Sequence, residues 1–78
     1  MQKDDVRDEV EAKLLLDLGK RLKQLRVKSK MSQNDLSNAC NLHITYISSI
    51  ERGGRNVSFL NIVKLAKALR CDPETLFR

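Results

Sequence analysis

Between residues 14 and 28 the apolar positions Leu14, Leu15, Leu18, Leu22 and Leu25 return every three or four residues. Lys20, Arg21, Lys23 and Arg26 fall between them, and this period predicts an amphipathic first helix. Val6, Val10 and Leu14 continue the spacing toward the N-terminus, so the acidic start of the chain either extends this helix by several turns or is flexible. A second helix is signalled by Ser32, whose hydroxyl can accept the exposed amide of Asp35 while Asp35 reaches back to the Ser32 amide. Leu36 and Ala39 fall on one side of it. Asn41 suits a tight turn, because asparagine tolerates a left-handed backbone better than most residues do.

A third helix is expected over residues 43–52, with Ile47 and Ile50 facing inward and Thr45, Ser48, Ser49 and Arg52 left largely outside. Two short helices joined by a tight turn, the second with a polar outer face, form the outline of a helix-turn-helix DNA reader. Gly53-Gly54 ends the third helix, and the loop Arg55-Asn56-Val57 leads to Ser58, the expected cap of a fourth helix through residue 69. Its inward stripe is Phe59, Ile62, Leu65, Ala66 and Leu69. Asp72-Pro73 then starts a last short helix, Asp72 as its cap and Pro73 in the first turn, anchored by Leu76 and Phe77.

A length of 78 residues suits one domain that buries about 60% of the surface its unfolded chain exposes. The pattern divides it into an acidic N-terminal segment, residues 1–12, and a helix-turn-helix domain, residues 13–78. Net charge is +5, a balance that favours an anionic partner yet also suits an ordinary protein. Its distribution says more. Residues 1–12 hold two basic and five acidic groups, whereas residues 13–31 hold seven basic and one acidic, so the positive field begins where the folded domain begins. Cys40 and Cys71 with a lone histidine make neither a repeated metal-ligand pattern nor a disulfide framework, and both cysteines read as small apolar fillers. No apolar run is long enough to span a bilayer and no signal-peptide segment is evident, so a cytoplasmic location is expected.

Over residues 18–77 the chain resembles the lambda-repressor-like family of helix-turn-helix domains. The resemblance lies in Ser32-Gln33, Leu36, Ala39, Ile47, Ile50-Glu51, Gly53, Leu65-Ala66, Leu69, Asp72-Pro73 and Leu76-Phe77. Within that family, Leu42-His43, Thr45-Tyr46-Ile47-Ser48 and Glu51-Arg52-Gly53-Gly54-Arg55-Asn56 look most like the small controller proteins of restriction-modification systems. The resemblance implies an all-α, five-helix domain that regulates transcription by binding a palindromic double-stranded DNA operator as a homodimer, without a cofactor or metal. It places Gln33 on a phosphate and Ile44, Thr45 and Ser49 at base edges, with His43 and Tyr46 on the DNA backbone. Ile44 departs from the controller pattern, which often carries arginine there; it can pack on a thymine methyl but cannot make arginine's bidentate contact to guanine. The resemblance also pairs Arg26 with Glu51 in a salt bridge.

Arg52, Arg55 and Asn56 cluster after the recognition helix, where they suit phosphate or groove-edge contact, solvated loop charge being the plain alternative. Leu60 and Val63 fall outside the inward stripe of the fourth helix and, with Leu76 and Phe77, form the expected dimer face. Catalysis is disfavoured: no nucleophile has a base and an orienting acid, and Gly53-Gly54 lacks the spacing of a phosphate loop. A DNA-binding antitoxin or protein-interaction module is the competing class. Single-strand binding would want stacking aromatics, and Tyr46, Phe59 and Phe77 are the only rings.

Overall fold

Asp8 opens the first helix by accepting the Glu11 amide at 2.8 Å, and the computed structural model, which describes residues 8–78, carries α1 from there over Glu9–Lys28. The helix therefore begins before the leucine stripe. Val10 and Leu14 remain 67% and 61% exposed, so the extension rests on the cap and on Glu9 and Glu11 in the first turn, not on burial. Val6, the first residue of the proposed extension, lies outside the described residues. Further along, Leu22 is fully buried and Leu18 and Leu25 pack beside it.

The order continues with α2 (Gln33–Cys40), α3 (Ile44–Glu51), α4 (Phe59–Ala68) and a 3-10 turn at Pro73–Phe77. Among the described residues the fold is thus all-α with four α-helices, and the expected fifth helix is a single 3-10 element. Asp72 makes no side-chain cap there, so Pro73's fixed φ is what starts the turn. The capping box of α2 forms as the sequence predicts. Asp35 N donates to Ser32 Oγ and Ser32 N to the Asp35 carboxylate, both at 2.9 Å. The hydrogen bond from the Ser32 amide first, and then the interaction with the Ser32 hydroxyl, hold the Asp35 carboxyl below its ordinary value. Asp35 stabilises the fold above the ordinary carboxylate pKa, and this contribution is lost as pH falls through the lowered folded value. The melting-temperature advantage of the native chain over Asp35→Asn should be full at pH 7 and shrink below about pH 4; a pH-independent difference would refute the role.

One core joins the elements. Leu36 and Cys40 of α2, Ile47 and Ile50 of α3, and Ile62, Leu65 and Ala66 of α4 close over Leu22, with Leu69 beside them. Ala39 is exposed instead, Cys40 taking the inward position next to it. Phe59 is 70% exposed although placed in the inward stripe, because it is the first residue of α4 and the core begins a turn later, at Ile62. Leu76 corrects the expected dimer face: only 1% exposed, it fills the core between α1 and α4, while Phe77 beside it points outward at 64%.

Helices α1, α3 and α4 all end in the same six-residue closure. Met31, Gly54 and Cys71 donate their amides to Arg26, Ser49 and Ala66, behind left-handed residues Lys30, Gly53 and Arg70.

Candidate nucleic-acid interface

The helix pair is built around a sharp reversal. Asn41 takes φ 60° and ψ 38° and closes α2 through its amide to Ser37 O, and the Ser37 hydroxyl donates to Leu42 O. His43, extended, then caps α3 by accepting the Thr45 amide at 3.2 Å. The third helix is therefore Ile44–Glu51, with His43 and Arg52 as its caps and not its first and last turns.

Its outward side carries most of the residues singled out from sequence. His43, Thr45 and Arg52 are exposed, and Ile44, Ser48 and Ser49 half-buried, above the buried pair Ile47 and Ile50. Arg52 Nη1 donates to Ser48 Oγ at 2.6 Å, which lays the guanidinium back along the helix. Tyr46 is half-buried. Its hydroxyl accepts from Asn61 Nδ2 at 3.0 Å, which ties α3 to α4 and leaves the phenolic hydrogen available to a further acceptor. Arg55 stacks its guanidinium 4.9 Å from the Tyr46 ring centre, a cation–π contact that holds an exposed loop arginine beside α3. Asn56 is exposed in the same loop.

Beneath this surface lies an ionic cluster. Arg26 Nε and Nη2 donate to the two Glu51 oxygens at 2.7 and 3.1 Å, and Arg26 Nη1 donates to Met31 O at 2.9 Å. The two side chains are 10% and 5% exposed. The hydrogen bond to Glu51 raises the Arg26 pKa against the opposing effect of burial, so the guanidinium stays charged. Gln33 Nε2 joins the cluster at 3.0 Å from Glu51 Oε1. The two residues are 18 positions apart, so no local spacing announces the contact. It leaves the second Nε2 hydrogen for another acceptor and ties the start of α2 to the end of α3.

Gly19 is a residue that sequence reasoning missed. A Cβ there would lie 2.4 Å from Ile50 O and 2.7 Å from Glu51 O, so glycine is what lets α1 pass against the end of α3. A glycine inside an otherwise strong helical pattern was the available signal. The cysteines offer little chemistry: burial pushes both thiols up, disfavouring the nucleophilic thiolate. Among the described residues no group of three or more His, Cys, Asp or Glu side chains could hold a metal, and no helix is long and apolar enough to cross a membrane.

Comparison with known proteins accords with this geometry. Residues 22–76 match the model of a helix-turn-helix family. The control protein C.BamHI of Bacillus amyloliquefaciens is 54% identical over 59 residues, which are 74% of this chain and 73% of that protein. The crystal structure of the restriction-modification controller protein C.AhdI from Aeromonas hydrophila superposes with a TM-score of 0.80 at 44% identity, covering 81% of this chain and 96% of that one. One chain of the controller protein C.Esp1396I, from the crystal structure of its tetramer in complex with its natural 35 base-pair operator, superposes at 0.75 and 34% identity, covering 82% of this chain and 84% of that one. The chain therefore belongs to the helix-turn-helix family, among its controller proteins, and is a sequence-specific DNA-binding transcriptional regulator, not an enzyme.

Proposed function

We propose that two copies of this chain, in the cytoplasm, bind a palindromic operator as a homodimer of lambda-repressor-like domains, each laying α3 in a major groove. The observation that carries the reading is the two-sidedness of α3: Ile47 and Ile50 are locked in the core while Thr45 and Arg52 face outward beside Arg55. Thr45, Ser49 and Ile44 read base edges. Gln33, His43, Tyr46, Arg52, Arg55 and Asn56 hold the sugar-phosphate backbone, Gln33 aided by the free amides and dipole of the first turn of α2. Leu60 and Phe77, 71% and 64% exposed, supply with half-buried Val63 the apolar face between copies. The operator complex of the related C.Esp1396I, a tetramer, supports assembly on DNA as the working state.

Selection from random duplexes followed by footprinting and sedimentation tests the proposal. Two symmetric half-sites one helical turn or a multiple apart, bound by a dimer, are expected. A monomer on an asymmetric site would overturn it. Within the complex, Arg55→Ala should weaken operator and random duplex by similar factors and lower the salt slope by about one unit, since one fewer phosphate is neutralised. Gln33→Ala should weaken both and leave the slope nearly unchanged; a selective loss of operator binding in either variant would make that residue a base reader.

A further inference from the structure

The bonding of His43 fixes the polarity of its neighbour's hydroxyl. Thr45 N–H donates to His43 Nδ1 at 3.2 Å, so Nδ1 presents a bare lone pair and the ring hydrogen sits on Nε2. Thr45 Oγ1 lies 2.9 Å from the same Nδ1. Two lone pairs facing each other at that separation repel, so the hydroxyl turns its single hydrogen onto the ring, and Oγ1 keeps acceptor capacity alone. Thr45 is exposed at the second position of α3, the end of a recognition helix that meets base edges.

We propose that His43 is a specificity-setting positioning residue, which converts the Thr45 hydroxyl into a pure acceptor and so selects a base that offers a donor in the major groove. The donors there are the exocyclic amino groups of adenine and cytosine; thymine O4 and guanine O6 and N7 are acceptors. Unrestrained, a threonine hydroxyl rotates and serves either class. Held by His43, it meets thymine or guanine acceptor against acceptor, or gives up its bond to the ring. His43 need not touch the base; its effect passes through Thr45. The inference rests on the proposed base-edge role of Thr45.

The test compares the native chain with Thr45→Val, His43→Ala, His43→Gly and His43→Asn by selection from random duplexes, with melting curves to check folding. His43→Gly covers the case in which His43→Ala fails to fold, since glycine serves at helix N-caps almost as well as a capping side chain. Thr45→Val should erase the preference at one base pair per half-site, and in the native chain the preference there should depend on the amino group of that pair's adenine or cytosine. Replacing that adenine by purine, or that cytosine by 2-pyrimidinone, removes only the amino group and should cost the native chain about fivefold in affinity, the worth of one hydrogen bond. Thr45→Val should not respond to the change. His43→Ala or His43→Gly should accept thymine or guanine at that pair while other positions keep their preferences, and His43→Asn, whose Oδ1 can accept in place of Nδ1, should restore selectivity. A change confined to one base pair is not what a loss of helix stability produces.

A native affinity indifferent to removal of the amino group at the Thr45 pair, or undiminished selectivity in His43→Ala and His43→Gly, would overturn the inference and leave the base-edge role of Thr45 standing. A Thr45→Val profile identical to the native one at every position would remove that role and the inference with it.

Discussion

Glu51→Ala is expected to cost about 3 kcal/mol of stability, because it leaves the Arg26 guanidinium charged and uncompensated where its side chain is only 10% exposed. For a domain of this size that corresponds to a fall in melting temperature of more than about 10 °C. Both partner oxygens vanish from Arg26 and one from Gln33, so the end of α3 loses its ties to α1 and to α2 together. Affinity should fall on operator and random duplex alike, since the whole recognition helix is displaced and no single base contact is deleted. Replacing both partners with apolar residues, Arg26→Met with Glu51→Leu, should destabilise less than Glu51→Ala alone, as removal of the pair strands no charge. A thermal melt of Glu51→Ala unchanged from the native curve would refute the structural role of the cluster.

Gly19→Ala should be nearly as damaging, against the usual expectation for a helix interior. Alanine there gains about 1 kcal/mol of helix propensity. Its Cβ, however, would lie 2.4 Å from Ile50 O and 2.7 Å from Glu51 O, both backbone atoms that move only if α3 itself moves. The net result should be a loss of about 2–3 kcal/mol, typical of overpacking at a rigid contact. Gly54→Ala is the control. Its nearest neighbour is the Ser49 hydroxyl at 3.1 Å, a side-chain atom, and the change should stay within about 0.5 kcal/mol. Chemical denaturation of the two variants decides the matter, and equal stabilities would show that α1 and α3 are not held at this distance.

What was legible in the sequence was what is local or periodic. The Ser32 and Asp35 box, the left-handed Asn41 and the Ser58 cap each depend on residues within a few positions of one another, and each forms. Leu36, Ile47, Ile50, Ile62, Leu65 and Leu69 follow from a period of 3.6, because a helix has one face to bury. Phe59 and Leu76 lie where the period gives no answer. Phe59 stands at the first turn of α4, before the core begins, and Leu76 and Phe77 share a turn too short to define a face, so tertiary approach alone decides which goes inward. Gln33 and Glu51 are separated by 18 residues and meet only once α2 and α3 are docked. The family resemblance suggested the pairing of Arg26 with Glu51, but nothing in spacing announced that Gln33 would share the same carboxylate.

That shared carboxylate has a mechanical consequence. Glu51 holds α1 through Arg26 and α2 through Gln33, and Arg26 in turn holds the connection between those helices at Met31 O. With the Tyr46–Asn61 bond to α4, the reading head α3 is braced against three helices. In the proposed dimer, any mismatch between the spacing of the two heads and the spacing of the two half-sites must therefore be taken up by the contact between copies or by curvature of the duplex. Duplex stiffness varies with sequence. The base pairs between the half-sites, which no side chain need touch, then help to set how tightly the operator is held.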